Sequence, residues 1–193
     1  MKRILLLMLV MLAGSAYAQK IKVTSGKLDF LKSETAFTVS FSYENMKVGK
    51  MTEAEYLEKR RADLDKKGDS YDAWYQRWVE DREQRFEPKF IELFNKYAEK
   101  IPQIADEGRY NMHINTDFTE PGFNVGVARK NAAVSLSIVF TDNQTGAEMA
   151  TVTVINSSAS DFWGTDFDVA YRIQECYGKA GRELSKYIAK MLK

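Results

Sequence analysis

The last third of the chain, residues 131–193, constrains the fold most, because it combines two strand patterns with one long helix. Apolar and polar side chains alternate over residues 134–140, turn-forming residues occupy 142–146, and β-branched residues resume over 149–155. Two such runs around a short glycine-containing loop predict a β-hairpin. A helix is predicted from Thr165, with one apolar stripe that covers a face of the hairpin. The stripe consists of Val169, Ile173, Cys176, Ala180, Leu184, Tyr187, Ile188 and Met191.

The upstream sequence predicts more strands and a group of helices. Residues 21–43 predict a first hairpin, and residues 110–118 alternate as a third strand does. Thr52 and Glu55 form a capping box, which is a specific helix start signal. Pro88 lacks the amide that a helix needs, so we expect it to break or kink the helix before it. Proline also fits the first turn of a third helical segment that starts there.

These patterns predict one α+β domain over residues 19–193. It contains an antiparallel or mixed sheet of about five strands, with a long C-terminal helix on one face. A helical insertion occupies residues 52–100.

The N-terminal residues 1–18 have the pattern of a secretory signal peptide. Lys2 and Arg3 precede an apolar run that is shorter than the ~20 residues needed to span a bilayer. Cleavage is predicted after Ala18. Gln19 follows where a bacterial lipoprotein needs a cysteine, so there is no lipobox and no lipid anchor is implied. The mature protein is therefore predicted to be periplasmic or secreted, without a transmembrane segment.

The charge balance argues against a nucleic-acid partner. Removal of Lys2 and Arg3 from the 28 basic residues leaves 26, against 27 acidic ones. A near-neutral chain lacks the basic surface that nucleic acid or anionic membranes require.

Three small residues of the last helix have predicted roles in packing. Cys176 is the only cysteine, and its place on the apolar stripe predicts a buried, inert thiol. Gly178 and Gly181 are expected to allow close approach of the helix to the sheet.

Few residues have the pattern of a catalytic or metal site. His113 is the only histidine and shares a strand face with Asn111, Asn115 and Asp117. A zinc site needs three or four ligands, so we interpret this face as a solvated one.

Acidic and glycine motifs do not predict catalysis either. Asp161, Asp166 and Asp168 lack the spacing of a calcium loop, and helix capping explains the last two. No nucleophile elbow and no phosphate-binding glycine loop occurs. The chain is predicted to be no enzyme and to hold no cofactor or metal.

Aromatic residues crowd the insertion more densely than two facing helices need. Core packing is the ordinary explanation, and a ligand groove or partner surface is the alternative. The candidate binding residues are Tyr71, Trp74, Tyr75 and Trp78; Phe86, Phe90, Phe94 and Tyr97 complete the set. We predict a mixed case in which Trp78 is buried and Trp74 or Tyr75 is partly exposed at the edge of a groove.

Several motifs in residues 110–192 follow a familiar order. A Glu-Pro-Gly-Phe sequence at 120–123 precedes a strand, and Phe-Thr-Asp at 140–142 with Thr-Gly at 145–146 makes the hairpin. Gly-Thr-Asp-Phe at 164–167 opens the helix. This half of the chain resembles small, uncharacterised secreted or lipoprotein α/β domains of Gram-negative bacteria. It is similar in plan to the N-terminal domain of TolB and to the curli-secretion lipoprotein. The insertion and the missing lipobox cysteine depart from that plan.

The resemblance implies a role in the cell envelope through protein contacts, with no catalytic residues to carry over. The leading hypothesis is a non-enzymatic protein that binds an unknown envelope protein. The alternative is a protein that binds a small ligand or glycan through the aromatic insertion.

Overall fold

A mixed β-sheet runs through the middle of the structure, a computed structural model that describes residues 19–125, 128–159 and 169–193. The strands are β1 (Lys20–Gly26), β2 (Ala36–Ser42), β3 (Lys47–Val48), β4 (Met51–Thr52), β5 (Gln103–Ile104), β6 (Tyr110–Glu120), β7 (Phe123–Val125), β8 (Ala128–Lys130), β9 (Ala133–Asp142) and β10 (Glu148–Ser157). The helices are α1 (Glu53–Asp65), α2 (Tyr71–Asp81), α3 (Glu87–Lys96) and α4 (Val169–Met191). A 3-10 turn spans Asp29–Ser33 and a π-helical turn spans Arg82–Phe86.

The main path of the sheet has the strand order β1-β10-β9-β6-β2-β5. The β9–β10 hairpin is confirmed, with antiparallel pairs such as Ile138 with Val152. Strand β2 runs parallel to both β5 and β6, so the sheet is mixed. The short strands β3 and β4 extend it, and β7 and β8 pair with each other. The predicted α+β fold is confirmed.

The predicted first hairpin over residues 21–43 is wrong. Strand β1 pairs with β10 and β2 pairs with β6, so the two strands lie on opposite sides of the β9–β6 pair. Between them, Leu28 and Leu31 are buried around the 3-10 turn. The Phe30 ring packs 4.5 Å from the ring of Tyr110. These apolar side chains therefore fix the connection between β1 and β2 against the core and do not continue a strand.

The helices cover one face of the sheet. Along β6 and β9 the buried residues alternate with polar ones, so that Met112 and Ile138 face the helices. Helix α4 contributes Ile173, Leu184 and other buried residues of its predicted stripe. The long C-terminal helix on one face of the sheet is therefore confirmed.

Helix α4 is also packed tightly against α3. A side-chain carbon at Gly181 would lie 2.3 Å from the Phe90 carbonyl oxygen, and one at Gly178 would lie 2.8 Å from Leu93 Cδ1. The prediction that these glycines bring α4 close to the sheet is wrong, because both face α3. Cys176 is fully buried as predicted, and burial raises the pKa of its thiol to about 11.

The insertion starts with the predicted capping box. Thr52 Oγ1 accepts the Glu55 amide at 3.3 Å, and the Thr52 amide donates to Glu55 Oε2 at 2.8 Å. Pro88 occupies the first turn of α3, as the sequence predicts, and the helical path does not break there. The π-helical turn Arg82–Phe86 joins α2 to α3 directly before it. The Glu87 amide donates to the Arg82 carbonyl oxygen at this wider spacing, and Pro88 follows in the first helical turn, where a proline is tolerated.

The insertion connects two parallel neighbours, β2 and β6. Such a connection has to cross over the sheet, and its helical part covers the sheet face. Helix α3 lies deepest: Phe94 packs its ring 5.7 Å from that of Phe37, and Phe90 lies 5.9 Å from Phe41. Helices α1 and α2 lie less deep and form the surface next to the end of β6.

Candidate functional site

A cleft of about 690 Å³ opens between the insertion, the turn after β6 and the start of α4. Its lining combines aromatic, aliphatic and charged side chains. The lining residues are Tyr56, Arg60, Trp74, Arg77, Trp78, Asp81, Arg85, Phe86, Pro121, Gly122, Val169, Ala170 and Ile173. This set is called the insertion cleft below.

Two helix caps and one carboxylate fix the walls of the insertion cleft. Ser70 Oγ accepts the Ala73 amide at 3.2 Å and starts α2, much as Thr52 starts α1. The two helices are joined by Glu53, whose Oε1 accepts the Trp78 indole N–H at 2.7 Å and also contacts the Arg82 guanidinium. A carboxylate with two donors from the neighbouring helical segment sets the spacing of α1 and α2.

The opposite wall is tied to α4. Arg172 Nε donates to the Pro121 carbonyl oxygen at 3.0 Å. At the bottom of the insertion cleft, Phe86 stacks on the fully buried Tyr177 at 5.3 Å between ring centroids. The cleft therefore has a buried aromatic floor and hydrogen-bonded sides.

A row of aromatic rings runs along α2. Trp74 stacks on Trp78 at 5.6 Å, and Tyr71 stacks on Tyr75 at 5.8 Å. Tyr56 of α1 lies 5.3 Å from Trp78 and 6.1 Å from Trp74. These contacts follow from spacing: residues three and four apart share one face of a helix. The face meets α1 and the cleft rather than the sheet.

The structure divides the four candidate binding residues by exposure. Trp78 is 8% exposed and anchors the row, whereas Trp74 is half-buried at the cleft. Tyr71 is half-buried and Tyr75 is 37% exposed, and neither lines the cleft. This is the mixed arrangement expected from the sequence, while binding by these residues remains a prediction.

The other four aromatic residues are not part of the row. Phe86, Phe90 and Phe94 are buried in the core, as ordinary packing predicts. Tyr97 is 38% exposed, and the Lys186 ammonium lies 4.9 Å from its ring.

Arginines were missed as members of the site. Arg60 Cζ lies 5.0 Å from the Trp74 ring centroid, a cation–π distance. Arg77 lines the same cleft from the next helix. One sequence pattern could have indicated this role: Arg60 comes four residues after Tyr56, so both side chains lie on one face of α1.

Two tyrosines next to the cleft, Tyr43 and Tyr177, each form a hydrogen bond to another side chain. Tyr43 O–H donates to Glu87 Oε1 at 3.2 Å, and the Tyr177 hydroxyl bonds Thr116 Oγ1 at 2.6 Å. Burial raises the pKa of both tyrosines far above the usual value, and burial also raises the pKa of the Glu87 carboxyl. Neutral phenols held this way stabilise the packing between α3, α4 and the sheet.

His113 lies on the sheet face away from the helices, as the alternation predicts. Its Nδ1 and Nε2 lie 3.0 and 2.9 Å from the hydroxyl oxygens of Ser40 and Ser42. Asp117 accepts from Asn115 on the same strand at 2.9 Å. These groups form a polar ladder across β2 and β6. In the described part of the chain, no three histidine, cysteine or acidic side chains are grouped as metal ligands are.

Some sequence predictions fall outside the described residues. The signal peptide over residues 1–18 is one of them, and Asp161, Asp166 and Asp168 are others. Among the residues that the structure describes, no helix is long and apolar enough to cross a membrane.

Comparison with known proteins gives only distant likenesses. No protein-family model matches the chain, and no curated protein matches it. The PelC dodecamer of Paraburkholderia phytofirmans is 12% identical, with 87% of this chain and 98% of that chain covered at a TM-score of 0.41. A point variant of that PelC is 13% identical over 84% and 96% of the two chains at 0.37. A Xanthomonas campestris protein of the DUF330 family is 16% identical over 50% and 58% at 0.35. TM-scores this low establish neither a shared function nor a shared partner.

Proposed function

We propose that this protein is a non-enzymatic binding protein of the periplasm or extracellular space that acts through contacts with a protein partner in the cell envelope. The insertion cleft is its binding site. One observation carries the proposal: Trp74 stays half-buried at the cleft while Trp78, one turn further along α2, is buried beside it. A large ring that the fold leaves accessible, supported by a buried one, is typical of an interface anchor.

The composition of the insertion cleft supports a protein partner. Tryptophan, tyrosine and arginine are the residue types that dominate binding energy at protein interfaces, and all three line it. Exposed apolar surface continues outside the cleft on α2, where Tyr75 and Val79 are each 37% exposed. A partner that fills the cleft can also cover these neighbours.

A small ligand or glycan is the second candidate, and the size of the cleft favours it. Small-molecule pockets fall in a range of roughly 300–1,000 Å³, which includes this cleft of about 690 Å³. Sugars, however, need several hydrogen-bonding groups for their hydroxyls. No serine, threonine, asparagine or glutamine side chain lines the described cleft, and its one carboxylate, Asp81, is paired with Arg85. The described lining thus offers sugar hydroxyls few side-chain acceptors, so this candidate ranks second.

The test compares three immobilised forms of the mature protein in an envelope extract, with captured proteins identified by mass spectrometry. Trp74→Ala removes the accessible ring of the cleft. Tyr97→Ala is the control, because it removes an aromatic ring of 38% exposure outside the cleft. We expect a protein that the parent and Tyr97→Ala retain and Trp74→Ala loses. Trp74→Ala should stay within about 1 kcal/mol of the parent in stability, because its ring is not fully buried.

Identical captured proteins for all three forms would contradict the proposal. Loss of capture together with a large drop in stability would also count against it, since it would assign Trp74 to the core. The small-ligand or glycan candidate would be favoured if Trp74→Ala captured the same proteins as the parent but lost a small molecule that native mass spectrometry detects on the parent.

A further inference from the structure

Among the described lining residues of the insertion cleft, three arginines face one aspartate. Arg85 Nε lies 3.2 Å from Asp81 Oδ1, so the single carboxylate of the lining has a cationic partner within the cleft. Arg60 and Arg77 remain. Within the described ranges, neither has a carboxylate at ion-pair distance. Among the described residues, the cleft therefore has two positive charges without a carboxylate partner.

Arg60 also stacks on an aromatic ring of the cleft. Its guanidinium lies over the Trp74 ring at 5.0 Å, so stacking limits how the side chain can turn. Its Nε is buried and has no hydrogen-bond partner in the part of the chain that the structure describes. Buried donors are normally satisfied, and leaving one unpaired is costly. A planar guanidinium with unused donors is suited to donate two hydrogen bonds to one carboxylate.

We infer that the insertion cleft binds an acidic side chain of the protein partner, adjacent to an apolar or aromatic side chain that packs on Trp74. This inference rests on the proposed function and adds the chemistry of the partner. The carboxylate binds Arg60 and gains from the charge of Arg77, while the apolar neighbour covers the indole. The partner segment thus has an aspartate or glutamate next to a bulky apolar residue.

The lining explains why this segment is favoured over other anions. Walls formed by Phe86, Val169 and Ile173 give no hydrogen bonds to a hydrated phosphate or sulfate, but they pack well against a side chain. Acidic sugars carry a carboxylate as well, but their hydroxyl groups find few side-chain acceptors in the described lining. An acidic and apolar peptide matches both the charge and the apolar surface.

The test begins with a random heptapeptide phage library selected on the immobilised mature protein, after removal of phage that bind Trp74→Ala. We expect the selected peptides to be enriched in aspartate or glutamate next to an apolar residue. The best peptide and its counterpart with amides in place of the acids are then titrated by tryptophan fluorescence. The acidic form should bind at least tenfold more tightly, a difference of about 1.4 kcal/mol. Its affinity should fall with added salt.

Variants locate the contact. Arg60→Gln and Arg77→Gln should each weaken the acidic peptide, the former about tenfold or more, and leave the amide peptide unchanged. Arg77 is exposed, so its variant keeps the test valid if Arg60→Gln is poorly folded by circular dichroism. Arg182→Gln is the control: it removes one positive charge from α4 outside the cleft, where Arg182 pairs with Glu183 at 2.8 Å. It should change the affinity less than twofold.

Three outcomes would overturn the inference. If the selected peptides are neutral or basic, the inferred acidic partner is wrong, but the proposed function as a protein-binding cleft still stands. Equal loss of affinity in Arg182→Gln and Arg77→Gln would mean a diffuse charge effect and no cleft contact. A library without any Trp74-dependent peptide, together with binding of an oligouronate titrated in the same assay, would assign the cleft to an acidic glycan.

Discussion

Replacement of Gly181 by alanine tests whether α4 and α3 pack as closely as the structure has them. The new side-chain carbon would lie 2.3 Å from the Phe90 carbonyl oxygen and 3.2 Å from the Phe94 amide nitrogen. An ordinary close carbon–oxygen contact is about 3.3 Å, so the helices must separate by roughly 1 Å. Phe90 and Phe94 are fully buried against the sheet, so α3 cannot move without disturbing the core.

The expected magnitude is a difference of two effects. Overpacking a close contact costs about 1–3 kcal/mol, and a collision with backbone belongs at the upper end. Alanine in place of glycine inside a helix returns about 1 kcal/mol. We therefore expect Gly181→Ala to lower the free energy of unfolding by about 2 kcal/mol. For a chain of this size that corresponds to a melting temperature lower by about 4–8 °C.

Gly178→Ala is the matched control on the same helix. Its new carbon would meet Leu93 Cδ1 at 2.8 Å and Lys89 Cγ at 3.1 Å, which belong to flexible side chains that can shift. The helix propensity gain then offsets the contact, and stability should stay within about 1 kcal/mol of the parent. Urea titrations followed by tryptophan fluorescence measure both variants. Equal stability of the two variants would refute the close α3–α4 contact.

Three further predictions concern the core and the pH dependence of stability. Leu184→Ala should cost about 2–5 kcal/mol in a urea titration, because this α4 side chain is fully buried; a change below half a kcal/mol would contradict its placement. Trp78→Ala should cost about 3–5 kcal/mol in the same assay and also removes the indole donor of Glu53; a variant as stable as the parent would show that Trp78 does not anchor α2. The Gln144 amide, and then the Arg109 guanidinium, hold the pKa of the Asp142 carboxyl below its usual range. The ionised Asp142 carboxylate therefore stabilises the folded protein above the unfolded carboxyl pKa of about 3.9, and this stabilisation is lost as pH falls through the lower folded pKa. The parent should therefore exceed Asp142→Asn in stability at neutral pH and lose that advantage in acid, and a difference independent of pH would refute this.

Local patterns predicted the parts of the fold that depend on neighbours in sequence. The β9–β10 hairpin and the Thr52 capping box each involve residues close along the chain, and both were found. Strand β1 pairs instead with β10, with Lys20 opposite Ile155. No local pattern carries that information, because the pairing depends on which distant strand offers a free edge.

The same limit applies to the insertion cleft. Spacing alone placed Tyr71, Trp74 and Trp78 on one helix face, and the unusual number of rings predicted partial exposure. The sequence predicts that Gly178 and Gly181 face the sheet, because no local pattern indicates that α3 packs beside α4. Arg60 became part of the site only through the crossing of α1 and α2, which is a tertiary feature.

The most direct test of the binding site is photo-crosslinking from Trp74 in cells that produce the protein. The photoreactive residue p-benzoylphenylalanine replaces Trp74 in one form and Tyr97 in another, and mass spectrometry identifies the adducts. We predict a discrete crosslink from position 74 to one protein and none from position 97, since the partner enters the insertion cleft. No adduct from position 74, or the same adducts from both positions, would contradict the claim that this cleft binds a protein partner.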